Sequence, residues 1–186
     1  MNVLELIMQN GGPAVIGQVA RRVGVPEDQA ADLLARLMPA LGQGVKRQIG
    51  DPNQLQSLVG ELSQGRAQQV LDNPEVLERD ETLQEGNAIL GKVFGSKDVS
   101  RNVATRVAEQ AGTSPDIVKQ LLPLAATLLM GVLGKEGEKK GMLGQGLSPG
   151  AVEGSTMASV FLDFLDMDND GDVMDDVLNL AQKFFR

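Results

Sequence analysis

Apolar residues recur every three or four positions along most of the chain, which is the spacing of one face of an α-helix. One such run is Ala30, Leu33, Leu34, Leu37 and Met38. The chain has few alternations of β-branched residues. Aromatic residues make up 3% of it, which gives a sheet little to pack against. The pattern therefore predicts an all-α protein.

Glycine and proline mark the breaks between the periodic segments. Turn residues precede several apolar runs, as at Pro26, Ser114 and Ser155, and they are typical of helix starts. The predicted helices span residues 2–9, 13–23, 27–41, 52–63, 66–72, 82–94, 98–111, 115–133, 156–165 and 173–185.

Changes in composition divide the chain into three parts. Residues 1–134 form the predicted all-helical domain. Residues 135–154 are rich in Gly, Lys and Glu and predict a flexible linker. Residues 155–186 are predicted to form a helix-loop-helix tail around an Asp-rich loop.

Two segments carry the same pattern 88 residues apart, at residues 19–24 and 107–112. In both copies an alanine lies four residues before a glycine, and apolar residues lie six and nine residues after it. Alanine permits two helices to approach closely, and glycine permits a tight turn between them. The spacing therefore predicts a duplicated helix-turn-helix.

The surface positions of these two units bear on DNA binding. A recognition helix needs Arg, Lys, Asn or Gln for base edges and a cationic rim for phosphates. The positions that would face the groove include three acids and no base in the first unit and one cation in the second. They are Pro26, Glu27, Asp28, Ala31, Asp32 and Ala35, then Ser114, Pro115, Asp116, Lys119, Gln120 and Pro123. This composition favours two packing units over two DNA-binding units.

The chain contains no His, Cys, Trp or Tyr. The usual general base, the thiol nucleophile and the common zinc ligands are therefore excluded. No serine lies in a nucleophile-elbow motif, and no Gly-rich phosphate loop follows a strand pattern. The composition predicts a protein without enzymatic activity.

The longest apolar stretch, Leu121 to Gly134, has 14 residues and contains Pro123 and two glycines. A membrane span needs roughly 20 apolar residues, so the stretch predicts a buried core helix. The chain starts without a basic region or a long apolar run, so no secretory signal is visible. We therefore expect a cytoplasmic protein.

The net charge is −8, and it is unevenly distributed. Residues 1–50 carry five basic and four acidic side chains (+1), and residues 51–154 carry ten and fourteen (−4). Residues 155–186 carry two basic and seven acidic side chains (−5). An acidic surface disfavours nucleic acid and anionic membrane. The acidity of the last part indicates a cation as its partner.

The Asp-rich loop in that last part is the most specific chemical signal in the sequence. Carboxylates at every second position, closed by a glycine, are typical of a loop that wraps oxygen ligands around Ca²⁺. The candidate metal ligands are Asp166, Asp168, Asp170, Asp172, Asp175 and Asp176.

The loop is EF-hand-like at its start but not at its end. Asp166, Asp168 and Asp170 occupy positions one, three and five, and Gly171 occupies position six. Position twelve, which is a bidentate acid in an EF-hand, is Val177 here. The spacing is closer to the shortened DxDxDGxxxD loops of some bacterial calcium modules.

The sequence does not decide which aspartate supplies the last ligand of the loop. Asp175 is the expected side-chain ligand and Asp176 the alternative, while Asp172 would act mainly through its backbone carbonyl. Mg²⁺ is the weaker candidate because it demands a tighter octahedral shell. A competing interpretation is that Asp170 or Asp172 caps the last helix, where a negative charge is favourable.

The middle of the chain, residues 86–101, reads GNAILGKVFGSKDVSR and resembles the signature of the bacterial YidB-like family, domain of unknown function 937. Similar pieces flank it, among them Gly11-Gly12 and residues 37–41 and 114–123. The resemblance implies an all-helical fold with a homeodomain-like arrangement. It implies no activity and no catalytic residues.

Four cations of this region, Lys92, Lys97, Arg101 and Arg106, predict a small basic face, either a binding patch or an ordinary solvated helix surface. Two functional hypotheses follow. The first is a non-enzymatic interaction protein in which Ca²⁺ orders the tail helix. Phe184 and its neighbours would then dock on the main domain or on a protein partner. The second is a DNA- or nucleoid-associated regulator. A homo-oligomer is compatible with either.

Overall fold

Eight α-helices and one 3₁₀ helix build the part of the chain that the computed structural model describes, residues 3–64 and 66–139. No strand occurs in this part, so the all-α prediction is confirmed. The helices are α1 Val3–Gly11, α2 Pro13–Val23, α3 Glu27–Ile49, α4 Pro52–Ser63, α5 Arg66–Asp72, the 3₁₀ helix Pro74–Glu78, α6 Asp80–Phe94, α7 Lys97–Ala111 and α8 Pro115–Lys139. The predicted tail, residues 155–186, lies outside the described residues.

Helix α8 is the centre of the fold. It contacts each of the other seven α-helices of the described part. Every residue from Leu121 to Gly134 is buried, as expected for a helix surrounded on all sides. By length and composition α8 could cross a membrane, but 83% of its apolar stretch is buried inside the protein. The prediction of a core helix is confirmed.

Glycines in the helices permit close packing around α8. A Cβ atom built on Gly86 of α6 would come within 3.0 Å of the backbone carbonyl oxygen of Pro123. A Cβ atom on Gly131 would overlap the carbonyl oxygen of Ala67 in α5 in the same way. At both positions a backbone occupies the space of the missing side chain, so the inter-helix distance depends on glycine.

The corners between α2 and α3 and between α7 and α8 have the same backbone geometry. Gly24 and Gly112 both adopt the left-handed conformation, with φ of 77° and 65°. In both corners the residue after the glycine donates its N–H to the carbonyl of the alanine four residues before the glycine, at 3.0 Å. This local repeat follows the sequence repeat. The homeodomain-like arrangement of the flanking helices stays a prediction.

Helix α3 is longer than the sequence pattern predicts, because it continues from residue 41 to Ile49. Pro39 and the two following glycines indicated a break. However, Pro39 and Ala35 are exposed, so water can bond the Ala35 carbonyl that lacks an amide partner. Val45 and Ile49 are buried and continue the apolar face, so tertiary packing keeps the helix intact.

The start of the predicted linker is also helical. Helix α8 runs to Lys139, so it extends five residues into the segment that the composition predicts as a linker. Lys135 forms an ion pair with Asp72 of α5, and Lys139 donates a 2.8 Å hydrogen bond to Asn10 of α1. These contacts with α1 and α5 stabilise the helical conformation of a segment whose composition is typical of a loop. The remainder of the linker lies outside the described residues.

The 3₁₀ helix, which the sequence pattern did not predict, is fixed to α2 by polar contacts. Arg22 donates to the Glu78 carbonyl at 2.7 Å and to Asp80 at 2.6 Å. Gln18, which is almost fully buried, donates its amide to the Glu78 carboxylate at 2.9 Å. The connection between α5 and α6 therefore has a defined path.

Candidate functional site

The six aspartates of the predicted metal loop lie outside the described residues. In residues 3–64 and 66–139, no group of three or more His, Cys, Asp or Glu side chains is placed to hold a metal ion. The candidate sites of the described domain are its cavities and its charged surfaces.

The most polar of these features is a solvent-open groove of about 500 Å³ where α6, α7 and the start of α8 meet. The 86–101 motif forms two of its walls, because it comprises the end of α6, the corner at Gly95 and the start of α7. The polar residues that line the groove are Asn87, Ser96, Lys97, Ser100, Arg101 and Lys119. We call it the basic groove.

The local sequence explains how the α7 side of the basic groove is built. Ser96 caps α7, because its Oγ accepts the backbone N–H of Val99 at 3.3 Å. Lys97 and Arg101 are four residues apart and therefore lie on one face of α7. Ser100 Oγ donates to the Ser96 carbonyl at 3.4 Å, which ties the first turn together.

The other walls and the floor come from α6 and α8. Lys119 reaches the basic groove from the second turn of α8. Leu90 and Leu122 are both buried and form an apolar floor. Concave sites with an apolar base and a few placed polar groups are typical of ligand and peptide binding.

The electrostatics of the basic groove differ from those of the domain around it. Residues 3–139 carry 14 basic and 17 acidic side chains, a net charge of −3, yet the lining has three cations and no carboxylate. Arg101 pairs with Asp98 at 3.3 Å and Lys119 with Asp116 at 3.0 Å, and both acids are highly exposed. Among the described residues, the side chain of Lys97 has no hydrogen-bond or ion-pair partner. The arrangement can bind an anionic group.

The basic groove only partly matches the face that the sequence predicts. Lys97 and Arg101 do come together, whereas Lys92 and Arg106 do not line the groove. Lys92 lines a separate groove with residues of α3 and α4. Lys119 is the member that sequence reasoning missed. It lies on a different helix, so only tertiary packing brings it to the site.

A second, smaller recess of about 200 Å³ lies between α4, α5, α6 and α8. It is mainly apolar, with Ile89 and Met130 in its lining, and the ion pair of Arg66 with Glu85, at 3.5 Å, is part of it. The apolar lining of this recess can accommodate an apolar side chain. Met8, which is exposed, lies outside it.

The two predicted helix-turn-helix units expose few cations among the described residues. In the first unit Asp28 and Asp32 are exposed, and Asp32 accepts a 2.8 Å hydrogen bond from Arg36. This hydrogen bond, with the carboxylate charge, raises the pKa of Arg36. In the second unit Pro123 is buried in the core, so it is not one of the surface positions of that unit.

Comparison with known proteins identifies the domain. The family model described as bacterial protein of unknown function (DUF937) matches residues 5–136, which includes all of the basic groove. This match confirms the resemblance that residues 86–101 carry, at the level of that family. No curated protein and no solved structure matches the chain.

Proposed function

Because the chain belongs to the DUF937 family of bacterial proteins, for which no function is established, we propose its role from its own surfaces. We propose that it is a non-enzymatic interaction module that binds an anionic partner in the basic groove. Its C-terminal Asp-rich loop binds Ca²⁺ and orders the tail. The cytoplasmic location expected from the sequence belongs to this proposal.

One observation carries the proposal of a binding role. Three cations line one concave groove of a domain with a net charge of −3. Arg101 and Lys119 each pair with an exposed acid of their own helix, and exposed pairs of this kind contribute little, so both cations are available to an anion in the groove. Cations that are gathered over an apolar floor attract an anion from several sides at once, and the concave walls reduce screening by solvent.

The lining residues favour binding over catalysis. Lys97, Arg101 and Lys119 offer positive charge, and Asn87 offers an amide that can donate or accept. The hydroxyls of Ser96 and Ser100 both bond the backbone of α7. No His, Cys, Asp or Glu lines the groove to activate them as nucleophiles.

The Ca²⁺ proposal rests on the spacing of the acids in the loop. Seven aspartates and no basic residue lie between residues 163 and 176. Carboxylates this close together repel one another unless a cation neutralises them, and oxygen ligands at alternate positions match the coordination of Ca²⁺. A single loop of this kind favours structural stabilisation of the tail over sensing.

Calcium binding is expected to depend on the two central acids of the loop. Replacing Asp168 and Asp170 together by Asn should weaken Ca²⁺ binding at least about 10-fold, because two charged ligands become neutral amides. The matched control replaces Glu153 by Gln and Asp163 by Asn, which changes the net charge equally outside the EF-hand-like positions. Calorimetric titration of the metal-stripped chain gives the affinities.

The thermal midpoint is followed in the same samples. Ca²⁺ that binds the folded chain should raise this midpoint in the parent and in the control, and less in the loop variant. Equal affinities in the loop variant and the control would refute a specific site. The acids would then serve only to cap the last helix.

The alternative function, a DNA- or nucleoid-associated regulator, is favoured by the two matching corners at Gly24 and Gly112. It predicts a salt-sensitive mobility shift of duplex DNA that is reduced by Lys119→Glu. We expect no shift even at low salt, because exposed acids occupy the surface of the first unit. A shift that responds to Lys119→Glu would replace the interaction module with this alternative.

A further inference from the structure

We propose that the anionic partner of the basic groove is the Asp-rich segment of the same chain, residues 163–176, and that Ca²⁺ binding to this segment releases it. The inference rests on the proposed function and names the occupant of the groove. The basic groove is then occupied by the tail in the absence of Ca²⁺ and accessible when Ca²⁺ is bound.

Charge complementarity is the first argument. Residues 163–176 carry seven acids and no base, a charge of −7. Without Lys97, Arg101 and Lys119, residues 3–139 carry 11 basic and 17 acidic side chains, a charge of −6. The segment is therefore repelled by the net charge of the domain and attracted by the three cations of the groove, two of which also pair with an exposed acid of their own helix. This combination gives a defined docking position rather than diffuse attraction.

The length of the chain permits this docking. Helix α8 ends at Lys139, and Lys119 lies 20 residues earlier, which is about 30 Å along the helix axis. Residues 140–165 separate the helix end from Asp166. With residues 140–155 extended and residues 156–165 in their predicted helix, this stretch reaches up to roughly 70 Å, so the segment can return along α8 to the basic groove.

The covalent connection also lowers the affinity that docking requires. A tethered segment is present at an effective concentration of about 1 mM or more when the connecting chain can span the distance. Exposed ion pairs are individually weak, but several of them at this concentration suffice to populate the docked state. The contact should be sensitive to salt, because screening acts on exposed charges.

The same carboxylates serve both partners, and therefore the two states compete. A Ca²⁺ ion bound by Asp166, Asp168 and Asp170 takes up the oxygens that would pair with Lys97 and Arg101. It also reduces the charge of the segment from −7 to −5. The metal-bound loop should leave the groove and free it for an external anionic partner.

Fluorescence transfer in the full chain tests the inference. The chain has no cysteine, so Thr105→Cys on α7 and Gln182→Cys in the tail provide two labelling sites. We expect efficient transfer at low salt without Ca²⁺. Transfer should fall by at least half when Lys97 and Arg101 are both replaced by Glu. The same fall should follow addition of about 0.5 M salt or of saturating Ca²⁺.

The matched control replaces Lys46 and Arg47 of α3 by Glu, which gives the same net charge outside the basic groove. Circular dichroism is used to check that both variants keep the helix content of the parent chain. A similar fall in transfer in both variants would overturn the inference, because net charge alone would then hold the tail. Transfer that rises with protein concentration would also overturn it, because a second copy would be the occupant.

Calorimetry on the same samples separates the inference from the proposed function. If Ca²⁺ does not bind, the metal part of the proposed function fails, while the response to the groove variant still decides whether the segment docks. If Ca²⁺ binds and transfer is unchanged, the release step is refuted and the metal site stands.

Discussion

Replacing Gly86 by alanine should lower the free energy of unfolding by about 3 kcal/mol, because overpacking forces two backbones apart. The added Cβ would come within 3.0 Å of the carbonyl oxygen of Pro123. That oxygen belongs to the central helix α8, and it also accepts a 3.0 Å hydrogen bond from the hydroxyl of Thr127. A backbone atom held in this way cannot move aside as a flexible side chain would.

A matched control lies five residues away in the same helix. Gly91 has open space around its Cβ position and is exposed. Alanine there should stabilise α6 by up to about 1 kcal/mol, since glycine is the poorer helix former. Thermal and denaturant unfolding of both variants give the comparison. Similar effects of the two substitutions would show that α6 does not approach α8 as closely as the structure has it.

Replacing Leu128 by alanine should also destabilise the protein by about 3 kcal/mol, through lost burial and the cavity that remains. Leu128 has no exposed surface and lies in the middle of α8, which contacts the other seven α-helices. A collapse that fills the cavity would have to move several helices together. The thermal midpoint should fall by roughly 6–12 °C, as expected for a chain of this length.

The control for Leu128 is Gln120, an exposed residue of the same helix. Gln120→Ala should change the free energy of unfolding by less than about 0.5 kcal/mol. If α8 packed in a membrane rather than in the protein core, the parent chain itself would need detergent to stay in solution, and its detergent-free form would show no cooperative unfolding for Leu128→Ala to shift. Reversible two-state unfolding with a lowered midpoint supports the core position.

Within residues 3–139, the periodicity of apolar residues predicted most of the described helices within one or two residues of their ends. It succeeded where the helix ends are encoded locally, as at Gly24, Gly95 and Gly112, which all adopt the left-handed conformation. It failed where local signals conflict with packing. The apolar face of α3 continues past Pro39, and the end of α8 is held by contacts with α1 and α5.

The candidate sites likewise contain parts that a local sequence pattern predicts and parts that depend on packing. The Asp-rich loop is a local pattern, so its six aspartates were named from spacing alone. The sequence also groups Lys97 and Arg101, but it groups them with Lys92 and Arg106, which do not line the groove. The third cation of the basic groove, Lys119, and its floor of Leu90 and Leu122 come from other helices.

The sequence by itself determined the helical class, the two glycine corners and the family signature, and it predicts the Ca²⁺ loop. Each of these depends on residues that are near one another in the chain. Only the tertiary structure decided that α8 is the central helix, that Gly86 must lack a side chain, and that three cations of an acidic domain share one groove. These features depend on which helices pack together, and packing brings into contact residues that lie far apart in the sequence.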